Sequence, residues 1–365
     1  MRVFNFLNRG NHPFDGLREW FWLAIAVFLV HGAVPLQADS DPSSGDLLRW
    51  SEAAATSGSM AIEGQSGWLF LDRELRHLAT GRFWGEEAAM VSAASNPAFA
   101  DPLPAILDFY EQLSELGVRL VVVPVPAKAS LYPIYLPESV SPEVARDWVQ
   151  PQQEFLEMLR QAGVEVLDLQ SIFEAREGRG ARGSLYCQQD THWSGEGVYV
   201  TAEKLLDFLP EDLREKVDPP PFVGAWEEQR IEGDLWMSLP ETDRPEAERL
   251  SLHFVRDRGT GEVPAPDSTS PVVLMGDSHS LIFHAGGDMH ARGAGLPEQL
   301  GLQMGFMPDV VAVRGSGATP ARINLLRRSQ RQPDYWENKA VVFWVFSVRE
   351  FTQADGWRLV PISNP

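Results

Sequence analysis

The chain lacks most of what would place it at once in a simple class. Of its 365 residues only one is cysteine, Cys187, which excludes an intrachain disulfide framework and any multi-thiolate zinc site. Basic residues are scarce: 31 Lys and Arg face 51 Asp and Glu, for a formal net charge of −20. That deficit argues against nucleic acid as a partner, because phosphate backbones are held mainly by Lys and Arg. It also opposes bulk adsorption to anionic surfaces. Internal repeats and long low-complexity tracts are missing as well. What remains is an apolar fraction of 44% and a charged fraction of 22%, the balance of a globular protein. The length allows one large domain or two ordinary ones, and twelve tryptophans are the one compositional anomaly.

The first nineteen residues carry one positive charge in excess, and Trp20–Val30 (WFWLAIAVFLV) is uninterrupted apolar sequence. A basic flank before such a run is the layout of a secretory signal. Ala38 offers a cleavage position, although Leu36 matches poorly the small residue preferred two places earlier. Uncleaved, residues 20–36 approach the shortest stretch that spans a bilayer. Residues 1–38 therefore read as a signal peptide or signal anchor that leaves the body of the protein in the periplasm, held at the inner membrane if uncut. Residues 39–63, small and polar, read as a flexible linker, and residues 64–365 as one catalytic domain.

From Gly64 onward, apolar β-branched runs alternate with helical patterns. Asp101-Pro102 opens a helix with a capping side chain and an N1 proline, and Leu103, Ile106, Leu107, Tyr110 and Leu113 recur at helical spacing. Strands are expected at Val118–Val125, Val164–Leu169, Pro271–Met275, Asp309–Val313 and Ala340–Phe346. Continuous apolar strands separated by helices imply an α/β fold, a doubly wound parallel sheet with helices on both faces. Chemistry in such sheets collects beyond the carboxyl ends of the strands.

Two short segments carry the chemistry expected there. Ser278 follows a strand through Gly276-Asp277 and precedes apolar residues. A serine at a strand-to-helix turn exposes its hydroxyl near amides able to stabilise an oxyanion. Asp277 or Ser278 acting only as a helix cap is the bland alternative. The hydroxyl needs a base, and Asp190-Thr191-His192 offers one: residues two apart in an extended segment share a side. The carboxylate can then orient one imidazole nitrogen while the other faces the serine.

GDS after a strand, followed by VAVRGSGATPARINLL, is similar to the first two blocks of SGNH hydrolases, but the Asp/His segment lies ahead of the serine block. That permuted order resembles the alginate O-acetyltransferase family of AlgJ and AlgX. GWLFL (67–71), PVPAKASLYPIYLP (124–137), DTHWSGEG (190–197), GDL (233–235) and FWVFSVREF (343–351) support the likeness. It covers about Gly64 to Trp357, in a layout closer to AlgJ. The resemblance implies Ser278 as acetyl-accepting nucleophile, His192 as general base and Asp190 as its orienter. The amides of Ser278 and Gly317 would form the oxyanion hole. The asparagine donor of ordinary SGNH enzymes has no counterpart, so Arg349 stands as a replacement or substrate contact and Lys128 as a second substrate contact. The implied function is O-acetyl transfer to an exopolysaccharide, alginate-like, in the periplasm, with acetylesterase activity when water replaces sugar. No cofactor or metal is called for. The implied partners are the polymer, a membrane-bound acyltransferase that supplies acetyl groups, and other export subunits.

Two rival readings stay open. His279, His284 and His290 invite a metal-dependent hydrolase, although their spacing does not place three imidazoles on one helical face. A non-catalytic polysaccharide-binding assembly subunit would use Trp193, Trp236 and Trp357 as stacking surfaces. An acidic polymer would need Lys128, Arg314, Arg322 and Arg349 gathered at one cleft. Arg322, Arg327, Arg328 and Arg331 read as a solvated helix face or a groove for an anionic polymer.

Overall fold

Five runs rich in β-branched residues build the central sheet of the computed structural model, which describes residues 43–176, 182–215 and 217–362. They are Arg119–Val125 (β1), Glu165–Val166 (β2), Val272–Gly276 (β3), Asp309–Ala312 (β4) and Val341–Ser347 (β5). The spatial order is β2-β1-β5-β3-β4, and every pairing is parallel. Consecutive residues of β3 and β5 are all buried. Because successive side chains point to opposite faces, both faces of the sheet are covered, and this is why these strands read as unbroken apolar runs. The α/β, doubly wound expectation is borne out.

Register aligns the carboxyl ends. Val125 of β1 sits opposite Ser347 of β5, Gly276 of β3 opposite Val345, and Gly276 also opposite Ala312 of β4. The loops after β1, β3, β4 and β5 therefore emerge along one edge. The last strand in sequence, β5, lies between β1 and β3, so that edge is where the connections diverge.

Local rules place the flanking helices. Asp101 accepts from Leu103 N at 2.9 Å and caps helix Pro102–Glu115, which buries Ala105, Ile106, Phe109 and Leu113. Gly117 then adopts φ +72°, the left-handed conformation that ends a helix with no Cβ penalty. Ser194 caps helix Gly195–Leu205 by accepting from Glu196 N and Gly197 N.

Four sequence expectations need correcting. Strand Val164–Leu169 shrinks to β2, because helix Leu169–Arg176 begins at once and Asp168 bonds Ser171 at its start. The antiparallel hairpin of Phe222–Arg230 with Arg249–Asp257 was not anticipated; its exposed first strand lacks an apolar run. Ser278 opens only a 3₁₀ turn, Ser278–Ser280, so no α-helix N-terminus backs it. Finally, residues 39–63 are not a tether throughout. Ser44–Ser57 is a helix whose Leu47, Trp50, Ser51 and Ala54 are buried, an i, i+3, i+4, i+7 stripe diluted by small polar neighbours. Ser51 Oγ donates to Asp72 O at 3.1 Å, and Ala61–Glu63 pairs with Leu69–Leu71. The folded body thus includes residues from Ser44.

The expected signal peptide or anchor, residues 1–38, lies outside the described residues. Among the described residues no helix is long and apolar enough to cross a membrane. Leu47→Ala should lower the unfolding free energy by about 2–4 kcal/mol, the cost of a cavity in a packed site. A tether would show no change in a denaturant titration.

Candidate active site

The loop after β3 and the Asp190–His192 segment meet at the carboxyl edge of the sheet. His192 Nε2 lies 2.7 Å from Ser278 Oγ, and His192 Nδ1 lies 2.6 Å from Asp190 Oδ1. All three residues are buried. Asp190 Oδ1 also accepts from the His192 backbone at 2.9 Å, so the two-residue spacing closes a small ring that sets the imidazole's direction. Nδ1–H therefore points at the carboxylate, leaving Nε2 as the acceptor for the serine hydroxyl.

The other carboxylate oxygen is equally engaged. Asp190 Oδ2 accepts from Asp234 N at 2.8 Å and meets His290 Nε2 at 2.8 Å. Gly233 makes the first of these contacts feasible, since a Cβ there would lie 2.2 Å from Gln189 O and 2.8 Å from Asp190 Cβ. Asp234 in turn accepts from Thr191 N and Thr191 Oγ1, both at 2.7 Å. Burial alone would raise the Asp190 pKa, but the charge and hydrogen bonds of His192 and His290 hold it well below the usual carboxylate range. For His192 burial disfavours the imidazolium, yet Asp190 outweighs it and the pKa is raised above 6.5.

The serine turn is held from below. Asp277 Oδ1 accepts from His279 N at 2.9 Å, and Oδ2 accepts from Ser347 N at 2.8 Å, tying the turn to the end of β5. Asp277 is thus a cap, as the bland reading had it, while the neighbouring serine still faces His192. His279 is fully buried and its pKa falls to about 4, chiefly through burial. Its ring centroid lies 4.8 Å from that of His192, so the site rests on a neutral imidazole.

Gly317 is brought beside this turn. A Cβ on it would approach Phe346 Cβ to 2.6 Å and Asp277 N to 3.1 Å, so only glycine fits. Its carbonyl accepts from Trp344 Nε1 at 2.7 Å. Among the described residues, the backbone N–H groups of Ser278 and Gly317 have no acceptor, which leaves both able to receive an anion.

The two other expected contacts are placed differently. Lys128 is fully buried, and its Nζ lies 2.6–3.3 Å from the carbonyl oxygens of Leu69, Cys187, Gln188 and Asp190. It ties the GWLFL segment to the loop that carries Asp190 and faces no open space. Arg349 Nη1 donates to Glu74 Oε1 at 3.2 Å and Ser347 Oγ at 2.9 Å. Its acidic partner is therefore a buried glutamate from helix Asp72–Leu78. Arg322 is buried as well, its guanidinium 5.4 Å and 5.8 Å from the Trp344 and Trp357 ring centroids. Arg314 is exposed and pairs with Asp288 at 2.5 Å. The four basic residues do not gather at one cleft. Arg327, Arg328 and Arg331 line a separate hollow of about 260 Å³ beside β4. Trp193 and Trp357 are core residues, and Trp236 is half-buried with Nε1 on Pro245 O.

A cleft of about 710 Å³ opens beside Asp190 and His192, lined by these two and His290 with Met60, Met237 and Met289. The three histidines after Ser278 take separate carboxylate partners: His279 meets Asp277, His284 meets Glu298, and His290 meets Asp190. Asp190, His192 and Asp234 do lie close enough to share an ion. Their oxygens, however, already accept from N–H and O–H donors, which a cation would have to displace.

Asp234 and His290 are the residues whose contacts with Asp190 sequence reasoning missed; from sequence His290 reads only as a candidate metal ligand. The GDL segment was a signal for the first. For the second nothing pointed to this contact, since it lies 100 residues from Asp190.

Residues 61–344 match the family described as "SGNH hydrolase-like domain, acetyltransferase AlgX". The chain belongs to this AlgX acetyltransferase family. Among its relatives is the probable alginate O-acetylase AlgJ of Pseudomonas aeruginosa, 29% identical over 236 residues that make up 60% of this chain and 55% of the relative. The AlgJ of Pseudomonas putida is 28% identical over 300 residues, 79% of this chain and 69% of that one. The chain thus spans little more than half the length of the first relative. The O-acetyltransferase domain of P. putida AlgJ superposes with a TM-score of 0.58 at 23% identity, covering 80% of this chain and 92% of that domain. P. aeruginosa AlgX gives 0.54 at 16% identity, covering 80% and 67%. At these identities the superpositions show the shared fold, and the family resemblance read from the motifs is borne out.

Lys128→Met keeps the volume but strips the donor from the four carbonyls. It should cost about 3 kcal/mol or more in a denaturant titration, since buried acceptors would be left unpaired. A substrate-contacting lysine would leave stability unchanged.

Proposed function

We propose that the chain is an O-acetyltransferase of exopolysaccharide biosynthesis, of the kind for which its alginate O-acetylase relatives are named. The observation that carries this reading is the continuous run Asp190–His192–Ser278 beside two acceptor-free backbone amides. Those are the parts of an acyl-transfer site: an activated nucleophile, an oriented base and donors for an oxyanion.

In the first half-reaction Ser278 Oγ attacks the acetyl carbonyl of a donor and its proton passes to His192 Nε2. The amides of Ser278 and Gly317 receive the developing oxyanion. Collapse breaks the bond to the donor's leaving group, which takes the proton from His192. In the second half-reaction a polymer hydroxyl gives its proton to His192 and attacks the acetyl-serine. Ser278 then recovers the proton as the new ester leaves. Water in place of the sugar gives acetylesterase activity. Asp190 keeps His192 in the required tautomer and favours the imidazolium formed in each step.

The apolar segment at 20–30 supports export and a periplasmic setting for the same chemistry, with residues 1–38 as a cleaved signal or residues 20–36 as an anchor. A membrane-bound acyltransferase would supply acetyl groups there, and polysaccharide-export subunits would deliver the polymer. A metal-dependent hydrolase is less well supported, given the hydrogen-bond donors that fill Asp190 and Asp234.

Ser278→Ala should lower turnover of p-nitrophenyl acetate by about 10³-fold or more and abolish labelling by a sulfonyl fluoride. Unchanged turnover would refute the assignment. The pH profile has a defined sign. His192 must be neutral to accept a proton, and its pKa is raised. The acid limb of kcat/KM should therefore lie above pH 6.5, the rate falling as pH drops through it. Asp190→Asn should move that limb downward while lowering the rate by about 10⁴-fold.

A further inference from the structure

We infer that His290 is a positioning residue for the acyl-transfer site: its Nε2–H fixes the free oxygen of Asp190 and thereby sets the aim and basicity of His192. The inference rests on the reading above and extends it to a residue 100 positions from the carboxylate it touches.

Two independent observations carry it. The first is the contact itself. His290 Nε2 lies 2.8 Å from Asp190 Oδ2, and its side chain is only 10% exposed. Asp190 is ionised, so the shared hydrogen belongs to Nε2 and the imidazole is the donor. Together with Asp234 N on Oδ2, and His192 N and Nδ1 on Oδ1, it completes a set of four N–H donors around one carboxylate. With both oxygens held, the carboxylate cannot rotate about its Cβ–Cγ bond, and Oδ1 stays aimed at Nδ1 of His192.

The second observation is backbone strain. His290 adopts φ +66°, ψ −56°, a region that side chains with a Cβ rarely occupy. The turn that imposes it is well fastened. His290 N donates to Gly287 O, Phe283 N donates to Met289 O, and Ala294 N donates to Phe283 O. Phe283, itself at φ +58°, places its ring 6.2 Å from that of His290. Strain that persists in a fastened turn and ends on an active-site carboxylate is the pattern expected of a functional device. An ordinary surface histidine has no reason to pay it.

The electrostatic consequence has a sign. An N–H donor on Oδ2 draws negative charge away from Oδ1. Removing it leaves Asp190 a stronger acceptor, which stabilises the imidazolium of His192 further. The other ionisable groups facing this pair are Asp234 from helix Asp234–Ser238, Lys128 and Glu248 on the far side of the Asp190 loop, Arg349 and Glu74, and Asp277 with His279 on the serine turn. Asp288 lies on the His290 turn itself, paired with Arg314. None of these is altered by a substitution at 290.

The test is a set of 290 variants of the full chain assayed with p-nitrophenyl acetate, with thermal unfolding as a check on folding. His290→Ala should lower kcat by about tenfold or more, leave KM within about twofold and shift the acid limb of the pH profile upward. His290→Gln, whose side-chain amide can donate to the same oxygen, should recover most of the rate and return the limb toward its original position. A folded His290→Ala protein with unchanged kcat and pH profile overturns the inference, as does an effect confined to KM. If alanine prevents folding, His290→Gln and His290→Leu decide between themselves: equal rates and equal pH profiles overturn it. Failure of the acyl-transfer reading is separate, because it would appear as Ser278-independent turnover in the parent protein.

Discussion

The structure depends on burying one charged carboxylate without leaving it unpaired. Asp190 is 1% exposed, and an isolated ion at such a position would neutralise itself by taking up a proton. Four N–H donors prevent that, and they come from three places in the chain: the adjacent His192, the Gly233-Asp234 corner and the strained His290 turn. Two of these places require a local exception, the missing Cβ of Gly233 and the positive φ of His290. The geometry of the Asp190–His192–Ser278 run follows from this saturation, because a carboxylate held on both oxygens gives His192 a single direction.

A second buried charge supports the first. Lys128 is as deeply buried as any core residue, and the carbonyls of Leu69, Cys187, Gln188 and Asp190 converge on its ammonium. Its pKa is lowered by burial and partly restored by Glu74. Glu74 also accepts from the Lys128 backbone at 3.1 Å and pairs with Arg349. The cations that sequence position assigned to substrate are thus largely spent inside the protein, holding the loops on which the triad stands. The net charge of −20 sums over these buried groups and therefore says little about the cleft, whose rim residues Arg230 and Glu232 pair with each other at 3.4 Å.

Legibility varied with the kind of signal. The unbroken apolar strands were visible because burial on both faces leaves no polar alternation, and helix Pro102–Glu115 because Asp101, Pro102 and Gly117 mark both its ends. The Asp190/His192 pair and Ser278 were visible because each sits in a short motif. Helix Ser44–Ser57 was hidden by its small polar residues, and the hairpin 222–230/249–257 by its exposed face. The burial of Lys128 and the Glu74 partner of Arg349 were hidden for a simpler reason: a basic residue after a strand looks the same whether it turns outward or folds back under the sheet.

By itself the sequence determined the class of sheet and singled out Ser278, His192 and Asp190 as candidate nucleophile, base and orienter, since these readings depend on composition, periodicity and short motifs. Only the tertiary structure decided which charges face solvent and which lie beneath the site. It alone brought residues 234 and 290 to the carboxylate of Asp190, and Lys128 to its backbone carbonyl. The physical reason is that the cost of burying a charge is met by whichever donors the fold delivers, however far apart they lie along the chain.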